Sequence, residues 1–430
     1  MLLKINVKFR DKGRRGTISL VAIAERCIVK MKSRKTFWMK LVTLFLFCMG
    51  FIAILIWVNL PLPGEVPTAA SQIIFARAHV TDIIRDDGKS EDWTEGLRIG
   101  VQEVNLQIDS GEDKGKILPA VNYLSAYNNV DLKTGTKVIV RLDKDANGLS
   151  YIASIPNYNR GPALLGLTVI FVLSLAVFGG RKGIAAILGL AFAIIAIWFL
   201  LIPMIRRGMN PIFSAVVMAA VTTAVSLILL NGLTMKTLCA TLGCVGGVAI
   251  AGAAAALTAA VTPINGFNMS EAEELILRSD GTNLNISGLL ISAILIAALG
   301  AVMDVAMTIT SAVFEVHQLN PDLSRQKLIQ SGINIGRDAM GTMANTLILA
   351  FAGSALNMLI LFRIFDYPYL QIINSDMMAL EIIQGISGSI GIVMTVPLVA
   401  FLSAFLCSRG NAVDKPFLPF KKDNKKGRRI

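Results

Sequence analysis

The chain has 430 residues, of which 54% are hydrophobic and only 16% charged. Soluble domains carry roughly 25% charged residues, so this composition excludes a disordered chain and points to lipid as the main solvent. The formal charge of +12 would suit nucleic acid in a soluble protein, but here its placement reads as a membrane-orientation signal.

A spanning helix needs about 20 mainly apolar residues. Eight segments meet that need: 37–60, 162–178, 183–203, 211–230, 237–261, 287–314, 339–362 and 383–407. Residues 1–36 carry eleven Lys and Arg, and residues 408–430 carry eight. With eight spans both basic tails share one side, which the positive-inside rule makes cytoplasmic. Arg206 and Arg207, in a loop assigned to the outside, are the one discord. The fold class expected is mainly α: a polytopic membrane protein of about eight helices, with a small β-rich extracytoplasmic domain inserted after the first. The domains are a tail (1–36), an anchor (37–60), the outer domain (61–160), a seven-helix region (161–407) and a second tail (408–430). The anchor's apolar run is longer than a cleavable signal's, so it is expected to stay, although residues 68–70 offer small side chains. Met31 begins a normal anchor, and residues 1–30 stand out of place ahead of it.

The five cysteines are Cys27, Cys48, Cys239, Cys244 and Cys407. None lies within residues 61–160, so the outer domain has no disulfide framework. There Val104, Leu106 and Ile108 alternate with polar residues, as do Val138, Val140 and Leu142. That period of two marks half-buried strands. Residues 110–115 and 145–148 are turn-rich breaks. About five short strands in 80 residues suggest a small barrel or sandwich of the OB or SH3-like kind. His79 stands apart from any catalytic partner, so a binding or scaffold role is expected.

Residues 179–182 (GGRK) read as a tight basic loop. The fifth span is rich in Gly and Ala. Gly243 and Gly247 have small-xxx-small spacing, which serves close helix packing, although so many glycines could also break the helix around a cavity. Residues 268–274 (NMSEAEE) resemble a capping box opening a short outside helix.

The sixth and seventh spans carry the chemistry. At about 100° per residue, Gly300, Asp304, Thr308, Ser311 and Glu315 fall within roughly 80° of one another. Ionisable groups in a span are costly and usually face the bundle interior or water. On the seventh span Asn334, Arg337, Gly341, Asn345 and Ala352 share a side, with Asp338 adjacent. Gly300 and Gly341 permit close approach, and Arg337 could pair with Asp304 or Glu315. Between the spans, Asn320-Pro321 reads as an N-cap and first helical position, opening an amphipathic helix over 322–334 along the cytoplasmic surface. Two readings stay open. The stripe is polar glue between helices, or Asp304 is a protonation or cation site with Thr308 and Ser311 as hydroxyl ligands.

Residues 300–307 (GAVMDVAM), the Asn320-Pro321 pair and residues 331–347 (SGINIGRDAMGTMANTL) together resemble the YibE/F family of bacterial membrane proteins, over about residues 40–407. The resemblance implies a polytopic plasma-membrane protein of the longer, YibE-like type, whose shorter relatives lack the anchor and outer domain. It also implies a shorter YibF-like partner, a homo-oligomer being the alternative. Members are described as membrane proteins or permeases, and the resemblance transfers no catalytic residue. The expectation is a permease or transporter component for a small solute or ion, without cofactor, metal or nucleic acid. A membrane scaffold presenting the outer domain is the alternative. No metalloprotease, nucleophile-elbow or Walker motif is present, so an enzyme is not expected.

Overall fold

The computed structural model describes residues 6–11, 14–19, 49–60, 73–90, 96–126, 128–144, 151–264 and 285–407. The first half of the expected anchor, residues 68–70, the turn at 145–148 and the expected helix at 268–274 lie outside them. Contacts divide the chain into two compact units, one of residues 61–180 and one of residues 1–60 with 181–430.

In the smaller unit the alternating segments are strands, and they close a barrel. The strands are β3 (Ile73–Asp86), β4 (Lys89–Ser90), β5 (Arg98–Ile108), β6 (Ile117–Leu124), β7 (Lys137–Lys144) and β8 (Tyr151–Tyr158); β1 (Asn6–Asp11) and β2 (Arg14–Ser19) form a separate hairpin near the N-terminus. The barrel order is β3-β7-β8-β6-β5, and β5 returns to β3. Every pairing is antiparallel except β6 with β8. That closed five-strand order is of the OB kind. Closure depends on β3, which is 14 residues long. Its first half bonds β7 and its second half β5, with irregularities between Val80 and Asp82 and between Ile83 and Arg85 that bend it. Val80, Val104, Leu106, Ile108, Val138, Val140 and Leu142 fill the interior.

Two inward positions are polar, Gln102 and Asn122. Gln102 is fully buried. Its Oε1 accepts from Leu132 N at 3.0 Å and from Asn122 Nδ2 at 3.0 Å, while Nε2 donates to the Leu132 carbonyl at 3.2 Å. Gln102 thus holds the irregular segment 129–132 on the barrel end. Beside it Arg98 bridges Asp86 and Asp131. The Arg98 guanidinium holds the Asp86 carboxyl below its usual range, against the opposing effect of partial burial. Burial pushes the Tyr158 phenol up, and its hydroxyl donates to the Asp131 carbonyl at 2.9 Å.

The larger unit is helical. Its elements are α1 (Met49–Asn59), α3 (Pro211–Asn231), α4 (Met235–Val261), α5 (Ile286–Leu319), α6 (Arg325–Ser354), α7 (Leu356–Ile364), α8 (Tyr369–Ile373) and α9 (Asp376–Cys407), while α2 (Gly161–Arg206) begins in the smaller unit. Polar caps set several starts: the side chains of Asn210, Thr234, Asn285 and Ser324 accept from backbone N–H groups of the first turn. Among the described residues five helices are long and apolar enough to cross a membrane, or six if α6 and α7, bent by 57°, form one span.

The tight basic break expected at 179–182 narrows to one residue: helix continues on both sides, and Gly180 alone leaves it, at φ 53° and ψ −132°, a conformation open to glycine. Two local expectations change. Asn320 does not open a helix. It ends α5, its N–H bonding the Val316 carbonyl at 3.0 Å, and Ser324 caps α6 instead. The amphipathic stretch 322–334 is therefore no separate surface helix. Its helical part belongs to the first turns of α6, because Gly332 and Gly336 serve as contact points rather than hinges.

Those contacts build the bundle. A Cβ on Gly332 would lie 2.8 Å from Val313 and 2.9 Å from Ala400, and one on Gly336 3.0 Å from Ile309. Gly243 faces Val399, Gly246 faces Leu398 and Gly247 faces Thr395, so α4 and α9 approach closely. The fifth span is thus a continuous, tightly packed helix. At the centre α5 buries Val302, Val305, Ala306, Ile309 and Val313.

The discordant Arg207 has a structural task. Its Nε donates to the Val58 carbonyl at 2.8 Å and its Nη2 to the Leu60 carbonyl at 2.7 Å. The guanidinium lies over Trp57, 5.0 Å from the ring centroid. It thus closes the carbonyl end of α1. Phe51 packs on Phe192 at 5.8 Å between centroids.

Two expectations test these contacts. Gln102→Leu leaves Leu132 N–H and Asn122 short of a partner, at a cost of about 2 kcal/mol; hydrogen exchange in the full-length protein should quicken about 30-fold across β5 and segment 129–132, and unchanged protection there would remove Gln102 from this role. Arg207→Met keeps the stem but frees two carbonyls. A disulfide between cysteines placed at Phe51 and Phe192 should then form more slowly than in the parent, and an equal rate would show that α1 is held by other contacts.

Candidate functional site

Helix α5 turns Val302, Ile309 and Val313 inward, and its period puts the polar stripe opposite. Gly300, Asp304, Thr308 and Glu315 are exposed and Ser311 is half-buried. On α6 the inward row is Leu328, Gly332 and Gly336, while Asn334, Arg337, Asp338, Gly341 and Asn345 are exposed. Both stripes therefore look away from the bundle that the chain builds by itself. Of the two surroundings expected for Asp304, the bundle interior or water, it is not turned into the interior of the described helices. Arg337 forms no ion pair with Asp304 or Glu315 among the described residues. No atom lies within 4 Å of a Cβ built on Gly300 or Gly341. Among the described residues nothing packs closely at these two glycines, whereas Gly243 and Gly247 are filled by α9.

The interior of the bundle has a different chemistry. Its buried polar side chains are all hydroxyls, among them Thr223, Ser292, Thr310, Thr395 and Ser403. Ser292 bonds the Gly288 carbonyl at 2.8 Å and Thr395 the Gly391 carbonyl at 2.7 Å, each one turn back in its own helix. Ser403 donates to Thr310 at 3.4 Å. Cys239, Cys244 and Cys407 are buried, and Thr223 meets Cys244 at 3.3 Å. Among the described residues no charged side chain is buried in the helical unit, and no three His, Cys, Asp or Glu gather into a metal cluster.

The two stripes are in step. Gly332 lies beside Val313, Gly336 beside Ile309, and Leu347 reaches Gly388 next to Ala298. Along antiparallel helices rising 1.5 Å per residue, Ser311 is then level with Asn334, Thr308 with Arg337, Asp304 with Gly341 and Gly300 with Asn345. Asp304 is about 16 Å along the axis from Glu315. A carboxylate, two hydroxyls, a guanidinium and two amides thus share one band of height. They can bind a cation or relay a proton once they are closed off from lipid.

These stripes lie within the matched part of the chain. Residues 167–409, more than half of it, match a family described as YibE/F-like protein. The chain belongs to the YibE/F-like family. No curated protein and no solved structure matches it.

In this YibE/F-like chain the reading from sequence missed two features. Glu381, half-buried on α9, is met at 3.4 Å by the Ser354 hydroxyl at the end of α6. It escaped because the eighth span was begun at residue 383, although a lone acid just before an apolar run is a visible signal. The second is Arg207, whose partners lie 149 and 147 residues away, beyond any local pattern.

Direction of the faces can be checked by glycine replacement. Gly336→Val should lower the stability of the purified protein by about 1–3 kcal/mol through overpacking, seen as a lower thermal unfolding midpoint in detergent. Gly341→Val should leave the single chain's midpoint nearly unchanged. Equal losses would mean that both faces are packed.

Proposed function

We propose that this chain is a subunit of a plasma-membrane permease for a small solute or ion, in which the outward stripes of α5 and α6 form one wall of a polar pathway completed by another chain. The observation that carries this reading is the band of Asp304, Thr308, Ser311, Arg337 and Asn345 at matched heights on two adjacent helices, all exposed but the half-buried Ser311. An uncovered carboxylate in hydrocarbon is costly, so such a face is suited to water and a partner rather than to acyl chains. In the pathway Asp304 holds a proton or cation, the hydroxyls of Thr308 and Ser311 are secondary ligands, and Arg337 is the countercharge. The chain has eight crossings in this reading. Residues 37–60 supply the first, and α2 supplies two, since its 46 residues would extend about 69 Å against a core of about 30 Å. Both termini are cytoplasmic and the barrel is extracytoplasmic. The protein carries out no covalent chemistry.

A scaffold reading is favoured by one other observation. The outward row of β6 is apolar and exposed, with Ile117 at 59%, Val121 at 42% and Tyr123 at 68%, which suits a protein partner.

The full chain in liposomes, loaded with a pH-sensitive dye and challenged with ion gradients, should give flux that Asp304→Asn reduces to background. Flux unchanged in that variant would reject Asp304 as the coupling group. No flux, with a binding partner lost on Tyr123→Ser, would favour the scaffold.

A further inference from the structure

We infer that the partner closing the α5–α6 face is a second copy of this chain, related by a two-fold axis along the membrane normal, so that the stripe of α5 in one copy meets the stripe of α6 in the other. This deepens the permease reading by naming the occupant. It shares with that reading the exposed faces, not the flux.

Three observations carry it. The first is the glycine pattern. In α4, α5, α6 and α9 most glycines meet a side chain of a neighbouring helix: Gly243, Gly247, Gly252, Gly332, Gly336 and Gly388 among them. Gly300, Gly341 and Gly353 meet nothing within 4 Å among the described residues. A glycine in a helix interior costs about 1 kcal/mol relative to alanine, and within this bundle the cost is offset by close approach. Gly300 and Gly341 lie within the polar stripes, so the backbone they uncover is available to a helix from outside.

The second is charge. The α5 stripe is acidic, with Asp304 and Glu315. The α6 stripe offers Arg337 and the amides of Asn334 and Asn345, with acidic Asp338 at its edge. Neither stripe suits a copy of itself, but each suits the other. A two-fold axis makes that exchange twice, since residue i meets residue j of the second copy and j meets i.

The third is height. An axis along the membrane normal leaves every residue at its own depth. The matched levels within one chain therefore become matched levels across the interface: Asn345 opposite Gly300, Gly341 opposite Asp304, Arg337 opposite Thr308 and Asn334 opposite Ser311. Arg337 of the second copy then lies about one turn from Asp304. Asp304 of each copy gains a countercharge that no described residue of its own chain supplies, and Gly300 and Gly341 each gain a neighbour. An unrelated apolar helix would leave Asp304 and Arg337 without partners.

The test uses the full chain in native membranes as two differently tagged copies, with Cys27 and Cys48 changed to serine. One copy carries Gly300→Cys and the other Asn345→Cys. Mild oxidation should give a covalent dimer bearing both tags, several-fold above the yield with Phe401→Cys in both copies, a position 57% exposed on α9. A charge exchange guards against misfolded variants. Asp304→Arg or Arg337→Asp alone should reduce the disulfide yield, and the two together should restore it. Yield no higher than the Phe401 control overturns the proposal. So does a product joined to a protein of different mass, which would place another chain on this face. Cross-linking without flux would retain the dimer and remove the permease reading. Flux without cross-linking would do the reverse.

Discussion

Close approach at glycine is the constraint on which the helical unit depends. Helices α4, α5, α6 and α9 meet where one of each pair has no side chain: Gly243 under Val399, Gly247 under Thr395, Gly332 between Val313 and Ala400, Gly336 against Ile309. In lipid, apolar surface gives helices little reason to associate, so van der Waals fit and a few hydrogen bonds do most of it. Such fit leaves no volume for a charged side chain. Among the described residues the buried polar side chains of the interior are hydroxyls; Ser292 and Thr395 turn back on their own helices, and Ser403 meets Thr310 on a neighbour. Asp304, Glu315 and Arg337 lie on the far side of the same helices for that reason. The tight core and the polar exterior are two results of one packing solution.

The barrel solves a different problem. In water its strands hold together by apolar burial, and the alternating rows of β5 and β7 supply it. The buried amide of Gln102 fixes where the chain crosses the barrel end, because segment 129–132 has no strand partner of its own and Leu132 bonds that side chain through both its N–H and its carbonyl. Arg98 then ties the same segment to the β3 end through Asp131 and Asp86. A polar cluster of this sort rigidifies when every member is satisfied.

Much of this was legible from residues alone. Period-two alternation marked β5 and β7 because one face of each is wet. The angular grouping of Gly300, Asp304, Thr308, Ser311 and Glu315 was also correct, since a helix fixes it. Its direction was not legible. A bundle interior and a lipid tail are equally apolar, so Val302 and an outward leucine look alike, and a polar stripe reads the same whether it faces a neighbour in its own chain or another molecule. Gly300 and Gly341 were read as intrachain packing for that reason. The Asn320-Pro321 signal is a real N-cap pattern, yet Ser324 four residues on offered another, and the turn of 320–324 let the second prevail. Residues 179–182 looked like a loop because two glycines and two cations coincide. One glycine suffices to bend the chain while the rest stay helical.

Arg207 changes how the chain's charges should be weighed. A guanidinium already engaged by two carbonyls and an indole has little need of the aqueous phase, and it behaves as a rivet at the foot of the first helix rather than as a tether to one compartment. A topological vote that strikes it from the rolls leaves Arg206 as the other cation at that end of α2. Charge counting in membrane chains improves when each arginine is first asked what it is already holding.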